Sequence, residues 1–343
     1  MHQGDKDVFF RGPRGEVVNV SRSPDTFSWL PRIAFAPHDA RRVHVLWQEI
    51  IFSGGSHGGD ILFARSEDGG ATFSEPLNLS RSVGGDGKGR ISREVWDNGS
   101  LDLAVDSDGA VYAAWTDYEG ALYLSVSPDG GIFSTPRVVA GSRERPARAP
   151  SLAAGPRHTL YLAWTHGEDP SADIRVARST DGGARFGEPV VVGPGPAFSD
   201  APKLVLDPRG VLHLAYAEAD RIVYARSTDG ARSFEPPRRV SGNAAGFPAI
   251  GADRDGNVCI VWERIEGRRP VGLGFTVSRN GGGAFTAPAE VPGSAAPAGG
   301  RNGSQQGLLA RKLAVGPDGA AAVVNSTLEP GKRSRVWLVR GRL

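Results

Sequence analysis

The feature that most limits what this chain can fold into is an internal repeat of roughly 50 residues, the length scale of stacked supersecondary units rather than of independent domains. Each unit opens with an apolar stretch and a tight Asp/Gly turn. An apolar stretch closing on an aromatic residue follows, then a variable loop, a further strand-like stretch, and a Ser-x-Asp-Gly turn that ends on Phe. The second stretches align as Val43–Trp47, Val111–Trp115, Leu160–Trp164, Leu212–Tyr216 and Val258–Trp262, with a degenerate sixth at Ala321–Asn325. Five residues of β-branched and apolar character match the length of a short strand. The turns ahead of them, Asp106–Gly109, Asp207–Gly210, Asp253–Gly256 and Gly316–Gly319, carry the Asp-Gly or Arg-Gly pair that tight hairpins favour.

The turn between the third and fourth stretches has the most specific pattern. It reads SEDGGATF at Ser66–Phe73, STDGGARF at Ser179–Phe186 and STDGARSF at Ser227–Phe234. A form one residue shorter stands at Ser127–Phe133, and SRNGGGAF at Ser278–Phe285 has Asn in place of Asp. The carboxyl or amide oxygen caps turn N–H groups, the glycines supply left-handed backbone, and the Phe folds back between sheets. On these octets the chain resembles the Asp-box (BNR) repeats of sialidase-like propellers, over nearly its whole length. The resemblance implies an all-β, six-bladed β-propeller of four-stranded antiparallel blades, as a single domain over 1–343. The blades are expected near 29–80, 98–141, 150–193, 202–242, 248–293 and 306–343. It also implies that Asp68, Asp129, Asp181, Asp229 and Asn280 are structural turn residues on the face away from a ligand. The sixth unit stops after its third strand, and Glu16–Ser21 is similar to the fourth strands Glu75–Ser80 and Pro237–Ser241. Residues 8–21 are therefore expected to close the last blade as its outer strand, which would remove an open edge.

In such blades the loops that leave strand two and those that lead into strand one share a face, and loops on a rigid scaffold carry function. The strand-two exits hold Glu49, Asp117, His166, Glu218 and Glu263, read as one register; the starts of strand one hold Arg32, Asp102, Ser151, Lys203, Ala249 and Lys312. Facing rings of mixed charge suit a sugar or an anionic group, although polar residues also end strands simply to be solvated. The stretch 81–99, longer than an ordinary connection, contains Arg90, Arg93, Glu94, Trp96 and Asp97, with Trp96 a candidate sugar-stacking platform. The Gly- and Ser-rich stretches 50–60, with His57, and 293–306 read as mobile connections.

Sialidase chemistry requires three arginines, an acid/base Asp and a Tyr–Glu pair, the exception to the two-carboxylate rule. Arg32, in PRIA, is similar to the first arginine, but the later inner positions hold Lys203, Ala249 and Lys312, and lysine does not form a bidentate fork. The last tyrosine is Tyr224, so Glu218 has no last-blade phenol to activate. The expectation is a non-catalytic propeller that binds a glycan or a protein partner. The alternatives are a divergent glycoside hydrolase or polysaccharide lyase, with Arg32, Asp117 and Glu218 as candidate catalytic groups, or a structural subunit of a larger assembly.

Composition excludes other classes. Forty cations against 38 anions leave a net charge of +2, no footprint for nucleic acid. No apolar run approaches the ~20 residues of a membrane-spanning helix. The single cysteine, Cys259, in a strand-like apolar stretch, supports neither a disulfide nor a metal site, and no cofactor is expected. Met1–Asp7 has no signal-peptide pattern, while the resemblance implies an extracytoplasmic location.

Overall fold

The computed structural model describes residues 7–343 apart from 24–25, 54–55, 82–87, 91–95, 99, 169, 268, 298–300, 303–310, 330 and 332–334. The protein is a six-bladed β-propeller, all-β, with no helix among the described residues. A hairpin of β1 (Phe9–Arg11) and β2 (Val17–Asn19) precedes the first sheet, β3 (Phe27–Ala36), β4 (Asp39–Ser53), β5 (Ser56–Ser66) and β6 (Leu77–Asn78). β7 (Lys88–Arg90) and β8 (Trp96–Asn98) pair within the long connection. The second sheet is β9 (Leu101–Val105), β10 (Val111–Thr116), β11 (Leu122–Ser127) and β12 (Arg137–Ala140). The third is β13 (Ala147–Ala154), β14 (Leu160–His166), β15 (Asp173–Ser179) and β16 (Val190–Val192). The fourth is β17 (Ser199–Leu206), β18 (Leu212–Glu218), β19 (Arg221–Ser227) and β20 (Arg238–Arg239). The fifth is β21 (Ala245–Ala252), β22 (Val258–Glu266), β23 (Arg269–Ser278) and β24 (Ala289–Glu290). In the sixth, β25 (Arg301–Asn302) and β26 (Leu313–Val315) both pair with β27 (Ala320–Leu328), whose other edge takes β28 (Arg335–Arg342).

The chain divides into two compact units, residues 1–161 with 166–168 and 179–187, and the remainder from 162 to 343. In the first, sheets one and two enclose a core of Leu46, Ile61, Phe63, Leu101, Leu103, Val111 and Trp115. In the second, sheets four and five enclose Ala215, Ile222, Tyr224, Val258, Ile260 and Trp262, and sheets five and six enclose Val261, Leu273, Leu313 and Val323. The second strands of the first five sheets are buried on both faces through their apolar runs, which is why they read as continuous rather than alternating, whereas β27 of the sixth leaves Val324 exposed.

The Ser-x-Asp turns hold their shape by local hydrogen bonds. In each, the Ser hydroxyl accepts a glycine or alanine N–H, as in Gly70 N to Ser66 Oγ at 2.8 Å and Ala231 N to Ser227 Oγ at 2.9 Å. The carboxylate then accepts the N–H four residues on, Thr72 N to Asp68 at 2.9 Å and Ser233 N to Asp229 at 3.0 Å. Asn280 does the same with its amide oxygen, accepting Ala284 N at 2.8 Å. The closing Phe reaches the preceding sheet: Phe133 meets Phe63, and Phe285 meets Tyr224, each edge-on with centroids 4.8 Å apart. The arginine just before the turn Ser ties the same junctions. Arg65 Nη1 donates to Asp129 O at 3.3 Å and Arg226 Nη1 to Gly281 O at 2.5 Å.

Three expectations are corrected. Residues 8–21 do not form one outer strand; Gly12 and Gly15 close a tight turn (Gly15 N to Gly12 O, 3.0 Å) that folds the segment into the β1–β2 hairpin. The pairing described for the sixth sheet includes neither strand. Val8 and Val20 pack on Val43, Val45 and Trp47, and Phe10 meets Phe73 edge-on at 5.5 Å, as Phe63 meets Phe133. Second, the 50–60 stretch is not a loose loop: β4 and β5 stay paired out to Ser53 and Ser56. Its glycines permit this, since a Cβ at Gly59 would stand 2.5 Å from Glu49 O. Third, parts of the expected connections 81–99 and 293–306 are strands, β7 with β8 and β25 with β27. Arg93 and Glu94 lie outside the described residues, as does the side chain of Trp96.

Two outcomes follow from the turns. Hydrogen bonds from Thr72 and Ser66 hold Asp68 down to about 2, and those from Ser233 and Ser227 do the same for Asp229. A carboxylate depressed in the folded state stabilises fully above its unfolded value, near 3.9, and loses that contribution as pH falls through its folded value. The urea midpoint should therefore drop between about pH 4 and pH 2. The double variant Asp68→Asn, Asp229→Asn should fold, as the Asn280 turn does, and show a shallower drop; an unchanged slope contradicts this account. Phe285→Ala should cost about 3 kcal/mol in urea unfolding, the low end for an aromatic truncation because this ring is only partly buried.

Candidate functional site

The inner strands share a distortion. Leu30, Ala149, Ala201 and Phe247 have left-handed backbone, with φ of 54°, 51°, 54° and 52°, and each precedes a proline, Pro31, Pro150, Pro202 or Pro248. The register slips there in β3, β17 and β21, between Trp29 and Arg32, Asp200 and Lys203, and Gly246 and Ala249. Bulges of this kind bend a strand and re-aim its side chains beside binding sites. Arg32, Lys203 and Ala249 therefore lie one step past the bulge, deep in the sheet, Ser151 likewise follows the proline, and all are buried together with Asp102 and Lys312. Trp29, Asp200 and Gly246 lie before the bulge. Asp200, which lines the groove described below, is not picked out by the sequence because the Pro-x-apolar pattern draws attention to the residue after the proline rather than to the one before the bulge.

In the first unit, Arg32 Nε stands 3.9 Å from Asp102 Oδ1, and Asp102 Oδ2 accepts Leu152 N at 2.8 Å. Arg32 also donates to Leu30 O at 3.3 Å. Glu49 faces its own sheet, accepting from Ser28 Oγ at 2.7 Å, Trp47 Nε1 at 2.8 Å and Thr26 Oγ1. Burial raises its carboxyl above the ordinary value against the pull of those donors. Asp117 caps its own turn through Ala121 N at 2.9 Å, and burial raises it too. His166 and Glu218 are half-buried strand ends.

The strand-two exits do not share one register. Glu49, Asp117, His166 and Glu218 stand two residues after the aromatic, whereas Glu263 stands one after Trp262. Alternation puts it on the opposite face of the sheet, and there it meets Lys312 and Asn325 of the sixth sheet, with Asn325 Nδ2 3.5 Å from Glu263 Oε1 and Lys312 Nζ in direct contact with the same oxygen. Burial pushes the Lys312 ammonium down to about 7.

A groove of about 450 Å³ in the second unit opens where strand two leaves sheets four and five. Phe198, Phe247 and Ile265 give it apolar walls, and Asp200 and Asp220 its carboxylates. The walls are pinned by backbone bonds, Ala219 N to Phe198 O, Ala245 N to Asp220 O and Ile265 N to Ala244 O, each 2.8 Å. Asp200 accepts Thr165 Oγ1 at 2.8 Å and Ala201 N at 2.7 Å. Ala201, Ala219, Ala244 and Phe247, four of the eleven left-handed non-glycine residues among the described ones, all line this groove.

Comparison with known proteins sets this geometry beside solved structures. A protein of unknown function from Dyadobacter fermentans superposes with a TM-score of 0.62 at 14% identity, over 92% of this chain and 95% of its own. An α-L-arabinanase of Penicillium chrysogenum, complexed with arabinobiose, gives 0.58 at 14%, over 98% and 97%. A polysaccharide lyase, an ulvan lyase bound to -[GlcA(1-4)Rha3S]-, gives 0.62 at 11%, over 93% and 82%. The likeness is one of fold. No family model and no curated protein matches the chain.

One group has the composition of a cation site. Oxygens of Asp106 and Asp108 and a ring nitrogen of His158 lie within 4.8 Å of one another. Asp106, however, already accepts Asp108 N and Ala110 N at 2.9 Å, Tyr112 Oη at 2.8 Å and His158 Nδ1 at 2.9 Å. Asp207 and Asp253 cap the equivalent turns in the same way, so Asp106 is a turn residue whose lone pairs are spent.

The buried Arg32–Asp102 pair gives a stability test. Removing one partner strands a buried charge, so Arg32→Met should lower unfolding stability by about 3 kcal/mol, and adding Asp102→Leu should restore part of it. Additive losses in a double-mutant cycle would show that the two do not interact.

Proposed function

We propose that this propeller binds a glycan in the groove between its fourth and fifth sheets. The observation that carries the reading is the concentration of left-handed, non-glycine backbone at Ala201, Ala219, Ala244 and Phe247. Each such residue costs about 1–3 kcal/mol, and strain of that size gathers where a surface is shaped for a ligand. The chemistry agrees: aromatic side chains offer flat apolar faces to a sugar ring, and carboxylates accept hydroxyl protons. The groove falls within the 300–1,000 Å³ typical of ligand sites. Proteins of the same fold with named activities act on polysaccharides, as an arabinanase and an ulvan lyase do. In the Asp-box reading Asp68, Asp129, Asp181, Asp229 and Asn280 are structural, and the turns of Asp229 and Asn280 follow β19 and β23, at the other end of the fourth and fifth sheets from the groove.

A second reading is cleavage in the same groove, favoured by its two carboxylates, Asp200 and Asp220, since most glycosidases work with such a pair. Arg32, Asp117 and Glu218, the catalytic candidates of the sequence, do not line this groove. The sialidase mechanism is not proposed, because the last tyrosine, Tyr224, is a core residue whose hydroxyl pairs with His213 Nδ1 at 2.6 Å.

The test is a screen of arabinan, galactan and ulvan oligosaccharides by calorimetry, with turnover followed by reducing-end or 235 nm assay. Binding should weaken on the order of tenfold in Phe247→Ala, a loss of about 1.4 kcal/mol. Binding unaffected by Phe247→Ala and Asp200→Asn removes the groove from consideration. Turnover abolished by Asp200→Asn or Asp220→Asn establishes cleavage over binding alone.

A further inference from the structure

The groove between the fourth and fifth sheets is one-sided in charge. Its charged side chains are the carboxylates of Asp200 and Asp220, and among the described residues no Lys, Arg or His lines it. The basic residues near it are engaged. Arg221 Nε stands 3.6 Å from Asp220 Oδ1 and donates to Asn243 Oδ1 at 2.9 Å. Arg264, one residue before the lining Ile265, points to the other face of its strand and contacts Glu290. Arg269 stands 3.7 Å from Glu266.

Both carboxylates are held in place and can be reached. Asp200 is half-buried and fixed by Thr165 Oγ1 at 2.8 Å and Ala201 N at 2.7 Å. Asp220 is exposed, and its backbone carbonyl, which accepts Ala245 N at 2.8 Å, anchors the turn that presents it. Ala219, Ala244 and Gly267 are exposed as well, so the groove opens to solvent. Phe198, Phe247 and Ile265 supply its apolar walls. Like charges about 4 Å apart lower an affinity by a factor of roughly five even at the dielectric of water, and by more beside apolar walls. Two fixed carboxylates therefore tell a uronate from the corresponding uncharged sugar, whose hydroxyls donate to the same oxygens that repel the acid.

We propose that Asp200 and Asp220 are specificity-determining residues that make the groove select uncharged sugar residues and reject uronates by charge. This rests on the reading of the groove as a glycan site and adds the class of glycan it takes. The selection works by exclusion. Contacts to hydroxyls are common to many sugars, and the discrimination lies in the repulsive element built against the acidic ones.

The experiment uses the full chain and matched methyl glycosides of galactose, galacturonate and galacturonamide, with the glucose equivalents beside them. The amide has the shape of the acid without its charge. Affinities are read by saturation-transfer NMR and calorimetry in roughly 0.01 M and 1 M salt, where the Debye length is about 30 Å and 3 Å. In low salt the uncharged sugar and the amide should each bind about tenfold tighter than the uronate. The gap should narrow in high salt, and in Asp200→Asn and Asp220→Asn. Thermal melting checks the fold of both variants, and Asp220→Asn, at an exposed position, is the milder. The ratio of affinities is the readout, because a structural loss weakens acid and neutral sugar alike. A uronate that binds as well as its neutral partner, an amide rejected as strongly as the acid, or a ratio unchanged in both variants would each overturn the proposal. Phe247→Ala separates this from the reading it rests on. If no glycoside binds up to about 50 mM, well into the range of weak contacts, or if binding ignores Phe247→Ala, the groove is not the site and the selectivity falls with it. If neutral sugar and uronate bind equally and Phe247→Ala weakens both, the groove remains a glycan site and the charge selection alone is removed.

Discussion

A four-stranded sheet whose second strand is apolar on both faces has to be covered on both faces, and the rest of this structure depends on how that cover is supplied. The answer is local and repetitive. Trp115 and Trp262 fill the space between adjacent sheets, and the Phe that ends each Ser-x-Asp turn adds an edge-on contact from the following sheet, as Phe133 and Phe285 do. Both devices are specified within single repeats, so each unit carries the means to bind its neighbour. Arg65 and Arg226 add a polar counterpart, reaching carbonyl oxygens of the next turn. The glycines of those turns are required by the same closeness: a Cβ on Gly282 would overlap the ring and hydroxyl of Tyr224.

Much of this was legible in the sequence because its signals are local. The apolar second strands, the Asp-Gly turns and the Ser-x-Asp octets each occupy fewer than ten residues and recur, so chance similarity at one site is corrected by the others. The same logic explains what went unread. A left-handed alanine at 201, 219 or 244 leaves no trace in composition, since alanine is not a residue that turns demand. The bulge at Ala201 moves Asp200 into a position that regular alternation would not assign it. Glu263 was placed with Glu49 and Glu218 by counting strand ends, and a one-residue difference from the aromatic put it on the other face. The N-terminal segment matched fourth strands from Glu16 onward, but Gly12-Pro-Arg-Gly15 ahead of it is a turn signal that outweighed the strand pattern.

The two buried charge pairs, Arg32–Asp102 and Lys312–Glu263, illustrate how similar sequence signals resolve into different physics. Arg32 and Asp102 lie on adjacent inner strands at the limit of ion-pair contact, and Asp102 spends its second oxygen on Leu152 N. That pair knits two sheets of the first unit. Lys312 and Glu263 make closer contact yet leave an oxygen bare. Charge alone, as read from the sequence, gives both pairs the same standing as ligand residues; the distinction lies in distance, one pair standing at the limit of ion-pair contact and the other in direct contact.

Scaffold and site also occupy different ends of the same strands, and this separates their fates. In sheets four and five the Ser-x-Asp turns follow β19 and β23, while the groove is built from the opposite ends of β18, β21 and β22. Tyr224 stands at the turn end, in the register that Phe63 and Phe275 hold elsewhere, with its ring against Phe285 and its hydroxyl on His213. Burial there raises its phenol well above the ordinary value, the reverse of what a nucleophilic phenolate needs. A tyrosine in that register belongs to the packing that recurs from sheet to sheet. Substitutions at the groove end leave that packing untouched, so the repeat that makes the fold legible places no constraint on the chemistry the other end performs.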